Sequence, residues 1–126
     1  MNNERYNTGL KLLEQIHGGH VGEAMLKELN DICPEFVDMT IEWVFGEIVS
    51  RNGIDLKTRE LVIIASCVTL GHPIPQLRAH IEAALHIGVS KIEIIEVILQ
   101  MSIYAGLPAA SNAFRIAKEV FANVEK

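Results

Sequence analysis

The sequence predicts an all-α protein of six to seven helices. Apolar residues recur at three- and four-residue spacing along almost the whole chain, the signature of one buried helical face. Gly, Pro and capping residues punctuate that pattern at intervals of helix length. Sustained two-residue alternation, the mark of a half-buried strand, is not found. The β-branched runs Val62-Ile63-Ile64 and Ile94-Ile95 sit inside segments too long and too well capped for strands.

The elements follow in order. Tyr6, Leu10, Leu13 and Ile16 share one helical face, and Gly18-Gly19 stops that helix. A second helix is expected over Gly22 to Ile32, with Met25, Leu26 and Leu29 as its stripe. Pro34 suits the first turn of a third helix carrying Phe36, Val37, Ile41, Val44, Phe45 and Ile48, which Asn52-Gly53 ends. Asp55 is placed to cap a fourth helix running to Leu70, followed by a break at Gly71 and Pro73. A fifth helix spans Ile74 to Ile87 and ends at Gly88. Ser90-Lys91-Ile92-Glu93 reads as a capping box, with Ser90 as cap and Glu93 reaching back. The sixth helix is apolar nearly all round, which predicts a central or interfacial position. Gly106 ends it and Pro108 opens the last helix.

At 126 residues the chain is read as one domain, 1–126, able to bury about two-thirds of its unfolded surface. An apolar fraction of 49% and a mean hydropathy of +0.24 are high for that size, and predict a homo-oligomer. The net charge of −5, with no basic cluster, argues against nucleic acid, where Lys and Arg must neutralise phosphates. No apolar run approaches the roughly 18 residues of a membrane span. Cys33 and Cys67 lack Cys-x-x-Cys spacing, which fits a reducing compartment, and the N-terminus lacks a signal core; a cytoplasmic location is expected.

Glu60 and His80 are the first candidates for a site. Each is embedded in an apolar helical pattern, and burying a titratable group costs free energy unless it pairs or does chemistry. Glu60, Ile64 and Cys67 follow i, i+4, i+7 spacing and share a face. The bland reading of Glu60 is a first-turn carboxylate favoured by the helix dipole. His80 lies between Gln76 and Ala84 on one face, and an imidazole exchanges protons near neutral pH. Cys67 reads as a small buried hydrophobe, with a reactive thiol as the minor alternative. His72, in the Gly71-Pro73 break, fits a pocket mouth or a solvated loop equally. Arg59 and Arg78 are the cations nearest the pair in sequence, and Arg78 is read as a surface or pairing residue. Trp43 and Tyr104 are read as core or interface aromatics. The five histidines show neither His-x-x-x-His nor His-Glu-x-x-His spacing, so a metal site is not expected.

A set of segments now stands out together. Thr58-Arg59-Glu60-Leu61 is followed by Leu77-Arg78-Ala79-His80-Ile81-Glu82-Ala83-Ala84-Leu85. Gly88-Val89-Ser90-Lys91-Ile92-Glu93-Ile94-Ile95-Glu96 comes next, then Tyr104-Ala105-Gly106-Leu107-Pro108-Ala109-Ala110. In order and spacing, from about Asp55 to Phe114, they resemble the carboxymuconolactone decarboxylase family within the alkylhydroperoxidase D-like superfamily. The resemblance implies an all-helical fold and assembly as a trimer or hexamer. The peroxidase branch uses a Cys-x-x-Cys pair between the glutamate and the histidine. Here that stretch holds Cys67 alone, whereas a disulfide cycle needs an attacking and a resolving thiol. The departure favours the decarboxylase branch.

The function so implied is decarboxylation, without a cofactor, of a small-molecule lactone carboxylic acid such as 4-carboxymuconolactone. His80 is its expected proton donor and Glu60 the orienting partner. Cys67, Ile64, Arg59 and His72 are the expected substrate-binding residues. A thiol-dependent hydroperoxide reductase using Cys67, or a non-catalytic oligomer that binds a small ligand, are the alternatives.

Overall fold

The punctuation seen in the sequence is where the helices begin and end. A computed structural model describes residues 3–18, 24 and 26–124, and among these every regular element is helical. The chain forms two compact units, Met1–Asp55 and Leu56–Lys126.

In the first unit, α1 (Asn3–His17) buries Leu13 and Ile16. It stops at Gly18, whose φ of +76° lies in the left-handed region that a side chain disfavours. The helix expected over Gly22 to Ile32 falls partly outside the described residues, which exclude Gly19, His20, Gly22 and Met25. Leu26 and Lys27 are helical, and the chain then turns through residues 28–32 with Leu29 and Ile32 exposed. Pro34 occupies the first turn of α2 (Pro34–Met39), as its missing N–H allows.

Beyond Met39 the chain departs from the regular α-helix expected from the sequence: Thr40–Val49 is a π-helix. The buried residues Val37, Ile41, Phe45 and Val49 fall at a strict spacing of four. That interval exceeds the 3.6-residue α-helical turn, and the wider π turn keeps such residues on one face. The π-helix packs against α1 through two glycines. Gly9 lies against the Ile41 carbonyl, and Gly46 against the Arg5 carbonyl. Phe36, Met39, Trp43 and Ile48 are left exposed, so Trp43 is not a core residue of this chain.

The second unit is a four-helix arrangement of α3 (Leu56–Leu70), α4 (Ile74–His86), α5 (Lys91–Ala105) and α6 (Leu107–Val124). α3 packs against the other three, so its residues sit at the middle of this unit. Gly71 (φ +79°) and Gly88 (φ +100°) make the sharp reversals after α3 and α4. The capping box is present as read. Glu93 N–H donates to Ser90 Oγ at 3.0 Å, and Ser90 N–H donates to Glu93 Oε1 at 2.9 Å. These bonds, with a minor contribution from Lys57, hold the Glu93 carboxyl below the usual glutamate range. Gly106 closes α5.

The core combines Ile64, Cys67 and Val68 of α3, Leu77, Ile81 and Ala84 of α4, Ile94 and Ile98 of α5, and the small stripe Ala110, Ala113 and Ala117 of α6. Small residues on α6 let the backbones approach closely. The sixth predicted helix, now α5, is buried on one side only. Ile94 and Ile98 are fully enclosed and Met101 partly so, whereas Ile92, Ile95, Leu99 and Ile103 are 72, 38, 53 and 75% exposed. Tyr104 beside them is also exposed rather than in the core. No described helix is long and apolar enough to cross a membrane.

Candidate active site

Glu60 is the fifth residue of α3, one turn beyond the helix start. The dipole reading of this carboxylate fails on that ground, because the dipole's influence fades within the first turn. The apolar stripe of α3 then carries it inward. Glu60 is fully buried, and it is the one buried charged residue among those described.

A buried carboxylate needs a partner, and α4 supplies it. His80 Nδ1 lies 2.8 Å from Glu60 Oε1. The carboxylate can only accept, so Nδ1–H donates and the tautomer is fixed. Nε2, across the ring, is turned away from Glu60. The His80 side chain keeps 16% of its surface exposed against none for Glu60, so the pair reaches solvent through the imidazole. Glu60 Oε2 is buried and makes no hydrogen bond among the described residues. The low polarizability of such surroundings strengthens the charge–dipole interaction across the pair.

Cys67 is 8% exposed on the same stripe of α3. Burial, and secondarily the negative charge of Glu60, push its thiol above the usual cysteine range. Both effects disfavour the thiolate, the form that attacks peroxides and disulfides. Ile64, one turn from Glu60, is wholly enclosed in the core. His72 is exposed in the break between α3 and α4, where its carbonyl accepts a hydrogen bond from Ile74 N–H. Arg59 is half-buried beside Glu60 in the chain. Arg78 pairs with Glu119 of α6, in keeping with the pairing role read from its position. His17 stands edge-on to Phe45 within the first unit, and His86 is exposed in the last turn of α4. Among the described residues no three His, Cys, Asp or Glu side chains group as metal ligands do.

Sequence reasoning missed a groove of about 280 Å³ between α3 and α5, lined by Thr58, Leu61, Val62, Ala65, Glu96 and Gln100, among others. Its α3 residues lie roughly 100–200° around the helix from Glu60, on the side turned away from His80. The signal that could have found it is a polar i, i+4 pair, Glu96 and Gln100, in the apolar middle of that helix.

Comparison with known proteins adds to this geometry. The chain is 40% identical over 122 residues to 4-carboxymuconolactone decarboxylase of Acinetobacter baylyi, covering 96% of this chain and 90% of that protein. It is 36% identical over 102 residues to an uncharacterized 15.0 kDa protein of Paracoccus denitrificans, covering 80% and 76% of the two. It is 27% identical over 119 residues to nitrosuccinic acid decarboxylase of Metarhizium robertsii, covering 90% and 79%. The model of the carboxymuconolactone decarboxylase family matches residues 34–119, a span that contains Glu60, Cys67 and His80. With that match and these relatives, the chain belongs to the carboxymuconolactone decarboxylase family.

Proposed function

We propose that this protein is a decarboxylase of a lactone carboxylic acid such as 4-carboxymuconolactone, with His80 as proton donor. The observation that carries the reading is the 2.8 Å hydrogen bond between the fully buried Glu60 and the partly exposed His80. The relative named for that activity, 40% identical along nearly the whole chain, supports it.

The chemistry follows from the substrate class. Breaking the bond to the leaving carboxylate releases carbon dioxide and leaves its electron pair on carbon. The ring alkene passes that pair to the lactone carbonyl, so the substrate supplies its own electron sink and no cofactor is assigned. The dienolate then takes one proton on carbon, and the net reaction consumes one proton. His80 delivers it from Nε2, while Nδ1 remains bound to Glu60. Glu60 holds the ring through Nδ1 and so fixes the direction in which Nε2 points. Arg59, whose guanidinium matches a carboxylate fork, is assigned to a substrate carboxylate. Ile64 and Cys67 back Glu60 with apolar surface, and His72 is assigned to the mouth of the site.

A second acid fits the same machinery. Nitrosuccinic acid, in the name of the fungal relative, loses carbon dioxide to a nitronate, which is likewise protonated on carbon. The thiol-dependent alternative is less well supported, because Cys67 stands alone and is held as the thiol.

The test is a panel of the lactone acid, nitrosuccinic acid, and a hydroperoxide with a dithiol. Carbon dioxide release from the lactone acid is expected, and Cys67→Ser is expected to keep that turnover. In the native protein, an alkylating reagent should label the half-buried Cys33 before Cys67. Hydroperoxide consumption that Cys67→Ser abolishes, without turnover of either acid, would reverse the ranking.

The protein is also proposed to work as a homo-oligomer, a trimer or a hexamer. Ile92, Ile95, Leu99 and Ile103 put an apolar stripe of α5 in solvent, and a second copy of the chain would cover it. Light scattering is expected to give a multiple of 14.0 kDa, and a mass that stays at 14.0 kDa across dilutions would overturn this.

A further inference from the structure

We propose that Asn52-Gly53 is a site of spontaneous backbone modification, at which Asn52 deamidates to aspartate and isoaspartate. Asn52 is the only asparagine in the sequence followed by glycine. Both residues are exposed, in the irregular stretch between the π-helix and α3. Among the described residues, neither takes part in a hydrogen bond. A Cβ added at Gly53 would meet nothing within 4 Å, so open space surrounds the attacking peptide group.

These features remove the usual obstacles to the reaction. The Gly53 backbone nitrogen attacks Cγ of Asn52 and forms a new C–N bond. The bond from Cγ to the side-chain nitrogen breaks, and ammonia leaves carrying the proton lost from Gly53 N–H. Water then opens the five-membered imide at either carbonyl, so the sum is asparagine plus water giving acid plus ammonia. A side chain after the asparagine would crowd the ring, and a helix would hold the backbone nitrogen away from Cγ. Asn7 and Asn112 lie within helices, and Asn112 also accepts a hydrogen bond from Arg115 at 3.0 Å. Asn30 is exposed in a turn but precedes Asp31, whose side chain hinders the approach. Because Asn52 and Gly53 support no hydrogen bond, conversion removes none from the fold. The modified chain should therefore accumulate as folded protein, with its formal charge moving from −5 to −6.

The experiment is prolonged incubation of the whole protein in mildly alkaline and mildly acidic buffers. Isoelectric focusing, peptide mass mapping and enzymatic isoaspartate detection follow the product. The expected result is an acidic shift, with the mass of an amide-to-acid exchange confined to the Asn52 peptide. It should form faster in the alkaline buffer, where the attacking nitrogen loses its proton more readily, and circular dichroism should be unchanged. Gly53→Ala should slow it several-fold without loss of fold. Conversion of Asn30 while Asn52 stays intact, or equal rates in the parent and Gly53→Ala, would overturn the proposal.

Discussion

Replacing His80 by Gln is expected to lower turnover of the lactone acid by about 10²-fold or more, the scale of a lost general acid. The choice of glutamine follows from the burial of Glu60. Truncating His80 to Ala would strand a fully enclosed carboxylate without its donor, a change that costs about 3–5 kcal/mol in buried pairs. His80→Ala would then mix lost chemistry with lost stability. Glutamine keeps an N–H for Glu60 Oε1 and removes only the titrating ring. Glu60→Gln should cost less in rate, because its amide oxygen still accepts from Nδ1 and only the charge is gone. It carries its own stability cost of about 1–3 kcal/mol, since the new amide nitrogen would sit where Oε2 now has no hydrogen bond. The double variant should be little slower than His80→Gln alone, as residues acting as one unit are not additive. Steady-state rates, with thermal melts for each variant, decide the matter. Additive losses would uncouple the pair, and near-normal rates in both single variants would remove the site from consideration.

The reach of sequence reasoning differs between the two units, for physical reasons. In the second, most boundaries follow a local rule. Ser90 and Glu93 cap each other, Gly88 and Gly106 take backbone angles that a side chain resists, and Pro73 and Pro108 flank helix starts. Such rules are written in adjacent residues and can be read there. The Glu60–His80 contact was legible for a different reason: two titratable groups on apolar stripes must find each other or water. The π-helix was not legible in the same way. Its apolar residues fit an α-helix passably, and only the unbroken spacing of four from Val37 to Val49 set it apart. The exposure of half of α5 was hidden too. Apolar periodicity says which residues avoid water but not whether this chain or another covers them.

The two glycines that join α1 to the π-helix should be the least replaceable small residues in the first unit. At Gly9 a methyl group would be driven into the Ile41 carbonyl oxygen, with the carbonyl carbon at 3.0 Å and Gly46 N at 3.1 Å. At Gly46 it would meet the Arg5 carbonyl, with that carbon at 3.1 Å. These neighbours are backbone atoms, so no rotamer change relieves the clash and whole helices must move apart. Alanine has a compensating advantage, because its helix propensity exceeds that of glycine by about 1 kcal/mol. Overpacking a tight contact costs about 1–3 kcal/mol and occasionally more, and an immovable carbonyl belongs at the upper end. The clash therefore wins. Gly9→Ala and Gly46→Ala should each destabilise the first unit by about 2 kcal/mol net, a large share of the roughly 5–15 kcal/mol that holds a domain folded. Gly53→Ala is the control, since nothing lies within 4 Å of its added methyl. Urea unfolding, with hydrogen exchange read at the amides of α1 and the π-helix, measures the difference. If Gly9→Ala melts like Gly53→Ala and protects those amides equally well, the close approach of the two helices is not what holds this unit together.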